Sequence, residues 1–137
     1  MDIHKLISEF KNLSEVSQPQ NVRRAAFLGF TTLAYIIKQN ESDEQIKENM
    51  TAVVFTIVAN ILVSFKDNDA KIVYSASESL FNIMKYFSHL VIYFFNEIFE
   101  GLLLINVNPD PEVRAIASNL DSQLKEIVNF TLQDCQM

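Results

Sequence analysis

Two histidines, one cysteine and 17 acidic residues are the side chains in this sequence that could bind a metal or move a proton. His4 and His89 lie far apart, each at the start of a helical pattern, and neither falls into HxxxH or HExxH spacing. Cys135 is the single thiol, so a zinc set cannot be completed, and no metal or cofactor is expected. Gly29 and Gly101 stand alone, which leaves no glycine-rich phosphate loop, and no GxSxG nucleophile turn is present. Glu97 and Glu100 share a helix face with Asn96, where a solvated rim is a far better account than an acid–base pair. No catalytic residues are expected, and the chain does not read as an enzyme.

Recognition is the chemistry that remains. Lys71, Ser75, Glu78, Asn82 and Lys85 are spaced 4, 3, 4 and 3, which draws one polar stripe along a helix. Glu112, Asn119, Gln123 and Glu126 form its counterpart on a later helix. A solvated face is the default reading of either stripe, and the functional reading is a protein-binding surface. Nucleic acid is a poor candidate partner. The net charge is −6, the 11 Lys and Arg are scattered, and Arg23-Arg24 is the only adjacent basic pair, so nothing neutralises a phosphate backbone.

The elements that carry these stripes follow from composition. Two Gly, three Pro, no Trp and 11 Phe describe a chain with few turns and few breaks, which favours long helices over a sandwich or barrel. Ile3, Leu6, Ile7, Phe10 and Leu13 give a short first helix. A second runs from about Gln20 to Lys38, with Pro19 near its first turn. It is apolar all round, so no polar stripe can be drawn on it; either neighbouring helices of the chain cover it, or part of it docks onto a further repeat or a partner. A third, about Asp43 to Phe65, begins at Ser42 or Asp43 as N-cap. A fourth, about Ala70 to Phe87, turns Ile72, Ala76, Leu80, Ile83 and Phe87 inward. A fifth spans about His89 to Ile105. Asp110 as N-cap and Pro111 at the first helical position open a sixth, whose inner face is Val113, Ile116, Ala117, Leu120, Leu124, Ile127 and Val128 and which frays from Thr131. The most apolar window, Ala52–Phe65, falls short of the roughly 20 residues that cross a bilayer, so no direct membrane span is expected. The lone Cys135 and the lack of a signal-peptide pattern point to a reducing, cytoplasmic setting.

An internal repeat is visible. Val22-Arg23 with Ala26 returns as Ile72-Val73 with Ala76 and as Val113-Arg114 with Ala117, followed by Phe30, Leu80 and Leu120. The intervals are 50 and 41 positions, and the second lies in the roughly 40–47 residue range of HEAT repeats. The small Ala lets helices approach, and each Arg can reach an acidic turn such as Asp67–Asp69 or Asp110 in an adjoining layer. The expected fold is all-α: an armadillo-like α-solenoid of about three HEAT-like hairpins, six helices in all. It forms a single domain over residues 1–137, with repeats at about 1–39, 40–87 and 88–137, and reads as part of a longer solenoid.

Glu78-Ser79-Leu80-Phe81-Asn82-Ile83 and Phe95-Asn96-Glu97-Ile98-Phe99-Glu100-Gly101-Leu102 resemble a known family. They are similar to the N-terminal HEAT repeats of the vacuole-morphology scaffold of the PIKfyve complex, the phosphatidylinositol-3-phosphate 5-kinase assembly. The likeness continues at Asp110-Pro111-Glu112-Val113 and Leu124-Lys125-Glu126-Ile127-Val128, and more loosely at Arg23-Arg24-Ala25-Ala26-Phe27-Leu28-Gly29-Phe30. Val73 departs from the basic residue expected there. The resemblance implies a non-catalytic scaffold whose protein partners are a phosphoinositide kinase and its opposing phosphatase, placed peripherally on endosomal or vacuolar membrane through those partners. From a different class, the chain reads as a stand-alone helical-repeat protein that self-associates as a homo-oligomer through its open ends.

Overall fold

Aspartates open four of the helices. The computed structural model describes residues 2–136, with the side chains of residues 2–129. Within it Asp2 caps α1 (Ile3–Leu13), Asp43 caps α3 (Glu44–Val63), Asp69 caps α4 (Ala70–Val91) and Asp110 caps α6 (Pro111–Gln136). Each carboxylate accepts a backbone N–H that the first turn would otherwise leave unbonded. Of Ser42 and Asp43, the cap is Asp43, which accepts from both Gln45 and Ile46. Pro19 occupies the N-cap of α2 (Gln20–Gln39) without a side-chain bond. Pro19, Asp69 and Asp110 thus hold equivalent places, 50 and 41 positions apart, at the same intervals as the sequence repeat.

The two turns before α4 and α6 are built alike. Asp67 Oδ1 accepts the N–H of Asp69 at 2.8 Å, and Asn108 Oδ1 accepts that of Asp110 at 2.9 Å. In each case a side chain two residues upstream sets the capping aspartate in place.

The expected break between the fourth and fifth helices lies elsewhere. α4 continues past Phe87 to Val91, kinked at Phe87 (φ −133°, ψ 41°), and a 3-10 turn over Ile92–Phe94 leads into α5 (Phe95–Ile105). The stretch Phe87–Phe95 contains no Gly, Pro or capping aspartate to end a helix, so the chain bends without stopping. A second 3-10 turn, Ser64–Lys66, extends α3. The six α-helices therefore make five continuous helical stretches, and no strand occurs among the described residues. α6 stays helical to Gln136 rather than fraying from Thr131. The side chain of Cys135, on which the reducing-compartment reading rests, lies outside the described residues.

α4 lies between α2 and α6 and packs most extensively against these two. α1, α3 and α5 adjoin one another in a second row, with α1 against α2, α3 against α4 and α5 against α6. One continuous core fills the space between the rows. Ile72, Ala76, Leu80, Ile83 and Phe87 are all fully buried, as the sequence predicts, and Val73, Ser77, Ser79 and Met84 widen that face. On α6 Val113, Ile116, Ala117, Leu120, Leu124 and Ile127 are buried, and Val128 is half-buried. Ala26, Ala76 and Ala117 are equally sealed, each beside a buried Phe30, Leu80 or Leu120.

One expectation changes at the arginines. Arg23 reaches the acidic turn as predicted: Nη2 donates to Asp67 Oδ2 at 2.6 Å and Nε to the carbonyl of Ser14 at 2.9 Å. Arg114 folds back on its own loop, where Nη1 donates to the carbonyls of Asn108 and Pro109. Val73, at the corresponding place in α4, is fully buried. The length criterion for membrane crossing also changes. The helical stretches Glu44–Lys66 and Ala70–Ile105 are each long and apolar enough to cross a membrane by length and composition. Here Val53, Val54, Ile57, Val58 and Ile61 of the first are covered by neighbouring helices.

Candidate functional site

The nine polar residues singled out on α4 and α6 fall on one side of the molecule, the outer side of the α2–α4–α6 row. They gather in three hollows. Ser75, Glu78 and Asn82 of α4 line a groove of about 360 Å³ against Asn21, Arg24, Leu28 and Thr31 of α2. Lys85 lines a second, of about 380 Å³, with Phe81 of α4 and Asn119, Ser122, Gln123 and Glu126 of α6. Lys71 and Glu112 meet at the starts of α4 and α6, around a small hollow shared with Arg24, Tyr74 and Asp110. The grooves run where neighbouring helices diverge above their buried contact lines.

Hydrogen bonds stitch this face across helices. Arg24 Nε donates to Ser75 Oγ at 2.9 Å. Thr31 Oγ1 and Ser79 Oγ are 2.7 Å apart, and Ser79 Oγ also donates to the carbonyl of Phe27. Lys85 Nζ sits 4.4 Å above the Phe81 ring, which holds a cation over an aromatic face at the mouth of the α4–α6 groove. Asn82 turns back on its own helix and donates to the carbonyl of Glu78. Gln123 Oε1 is a buried acceptor with no hydrogen-bond partner among the described residues. Burial, with the nearby carboxylates of Glu78 and Glu112, pushes the Tyr74 hydroxyl above its ordinary value of 10.0.

Sequence reasoning missed the contribution of α2. Asn21, Arg24, Leu28 and Tyr35 are exposed and Thr31 half-buried, at spacings of 3, 4, 3 and 4, so α2 does present a stripe. Two of its five members are apolar, which hid it from a search for polar residues. Tyr35 packs edge-on against Tyr86 of α4, with ring centroids 5.8 Å apart. The signal available in the sequence was the complement: Ala26, Phe27, Phe30, Leu33, Ala34 and Ile37 keep helical core spacing and leave that stripe over.

His4 Nε2 lies 3.4 Å from Asn49 Oδ1, and His89 tilts against Phe87. Among the described residues no group of three or more His, Cys, Asp or Glu side chains could hold a metal ion. Asn96, Glu97 and Glu100 are exposed, and the two carboxylates border an apolar furrow between α3 and α5.

Comparison with known proteins supplies the family. The family model described as the Vacuolar 14 Fab1-binding region matches residues 21–126. Protein VAC14 homolog of Arabidopsis thaliana is 30% identical over 126 residues, which cover 92% of this chain and 15% of that protein. Vacuole morphology and inheritance protein 14 of Saccharomyces cerevisiae is 28% identical over 127 residues, covering 92% of this chain and 14% of its own length. No solved structure matches the chain. The chain spans a small part of the length of these relatives, but the matched span takes in every residue that lines the three hollows, and on that match the chain belongs to the Vacuolar 14 Fab1-binding region family.

Proposed function

We propose that the chain is a non-catalytic scaffold module that binds a phosphoinositide kinase of the Fab1/PIKfyve type through the outer face of α2, α4 and α6. The observation that carries this reading is the convergence of all nine polar residues, from two separate helices, onto one grooved face inside the span of a Fab1-binding family. The face offers both signs of charge, fixed hydrogen-bonding groups and exposed aromatic edges, which suits a protein surface better than a small molecule.

The architecture proposed with it is an α-solenoid of HEAT-like hairpins over about 1–39, 40–87 and 88–137. It is supported by the two rows of helices, the equivalent buried alanines and the matching turns before α4 and α6. In that arrangement the second helices of each hairpin form the concave, ligand-facing side. An opposing phosphatase as a further partner, a cytoplasmic setting without a membrane span, and a peripheral place on vacuolar or endosomal membrane through the partners belong to the same proposal.

Charge reversal tests it. Lys71→Glu with Lys85→Glu should reduce capture of the kinase in a pull-down by roughly tenfold while leaving the helical circular dichroism signal unchanged. Undiminished capture would remove this face from kinase binding. A concentration-dependent oligomer in light scattering, without kinase present, would favour self-association as the role of the chain.

A further inference from the structure

We propose that the furrow between α3 and α5 is a second docking site, which takes a basic amphipathic helix of a protein partner. It lies on the α1–α3–α5 row, away from the grooved face, and does not depend on how that face is read.

The furrow has a volume of about 740 Å³ and is predominantly apolar. Leu62, Val63, Phe65, Phe94, Leu103 and Leu104 line it. Val63 is 75% exposed, Leu103 58% and Leu104 48%, so large apolar side chains that could have been turned inward stand in solvent side by side. Its base is rigid. Gly101 is buried against Phe65, and a β-carbon at residue 101 would overlap that ring, so α5 is seated directly on the Phe65 side chain at the end of α3.

Backbone chemistry and charge select the occupant. Both walls are helices whose amides and carbonyls are bonded internally, so the furrow has no edge to which a strand could add. A segment that buries an apolar stripe here must arrive with its own backbone bonds satisfied, as a helix does. Glu97 and Glu100 stand on the α5 wall, and neither has an ion-pair partner among the described residues. Lys66 lies at one end, where the furrow adjoins a hollow that holds Lys11, Glu15 and Asp69 beside the Arg23–Asp67 ion pair. The carboxylates exceed the cations along this path, which favours Lys and Arg beside the apolar stripe of the incoming helix. The same carboxylates oppose an anionic lipid surface, and a second copy of the chain would bring its own net charge of −6 to an acidic rim.

The test uses the whole chain and two labelled synthetic helices of about five turns, one of Leu and Lys and one of Leu and Glu in the same pattern. Fluorescence anisotropy should show the Leu/Lys helix binding at least roughly tenfold more tightly than the Leu/Glu helix. Val63→Ser with Leu103→Ser alters exposed positions only and should abolish that binding. Glu97→Lys with Glu100→Lys should reverse the preference between the two helices. Glu44→Lys with Glu48→Lys, which changes net charge equally at the opposite end of α3, should leave it as in the unmodified chain. Equal affinity for both helices, or binding unchanged by the serine pair, would overturn the proposal. So would co-sedimentation with phosphatidylcholine–phosphatidylserine vesicles, or a dimer in sedimentation velocity, that the serine pair removes.

Discussion

Arg23 places a guanidinium where its side chain is 8% exposed and pairs it with Asp67 at 13%, so neither charge is left to water. The pair joins the first turn of α2 to the turn before α4, and removing one partner strands the other. Arg23→Met should cost about 3 kcal/mol in a urea unfolding curve, and Arg23→Met with Asp67→Leu should cost less than the sum of the single changes. Asp69 beside it is held below its ordinary 3.8, first by the hydrogen bond that Gln20 Nε2 donates at 2.8 Å and further by the N–H groups of Lys71 and Ile72 and the charge of Arg23, which together outweigh the opposing effect of burial. A folded-state value below the unfolded one gives stability that is present above the unfolded value and is lost as pH falls through the folded one. Gln20→Leu should therefore lower the urea midpoint near neutral pH, with the difference from the parent shrinking at about pH 2. The reach of Arg23 was readable from its spacing to an acidic turn. That of Arg114 was not, because its own loop offers two carbonyls nearer than any carboxylate.

Elements were legible wherever a residue with a local reason marked the boundary. Asp43, Asp69 and Asp110 each sit before a helical apolar pattern, and each caps a helix. Asp110→Ala should cost about 1 kcal/mol, read as a lowered urea midpoint. The junction of α4 and α5 was illegible for the converse reason: the turn there is made by burying Phe87 and tightening Ile92–Phe94, with no breaker residue to mark it. Glycines inside helices divide in the same way. At Gly101 an added methyl meets Phe65, a buried ring, so Gly101→Ala should destabilise by about 1–3 kcal/mol despite the better helix propensity of Ala. At Gly29 it meets Phe10, a ring that packs edge-on against Phe30 but is only half-buried, so Gly29→Ala should cost less in the same measurement. Both are mid-helix glycines in the sequence, and only the burial of the ring each one faces distinguishes them.

At the scale of the whole molecule, the sequence carried the stripes but not their meeting. The spacings along α4 and α6 draw the polar faces of each helix alone. That Lys85 shares a groove with Gln123, or that α2 adds Arg24 and Thr31 opposite Ser75, depends on the rotation and register set by the core. The same core makes α4 the hub, since it packs on α2, α3 and α6 and has eleven buried residues, whereas α1 has only Ile7. Opening α4 therefore exposes both neighbours at once and requires global unfolding, but α1 can detach by uncovering little. Native-state hydrogen exchange should find the slowest amides in the middle of α4, around Leu80 and Ile83, and much faster exchange throughout α1. Leu80→Ala, by creating a cavity at the hub, should lower the protection of α2, α4 and α6 together by about 2–5 kcal/mol. Ile7→Ala should change α1 and leave the others nearly as they were. If exchange were uniform along the chain, or if Leu80→Ala were felt in α4 alone, the rows would not be one cooperative body, and the grooves between them would not be the fixed surfaces that docking requires.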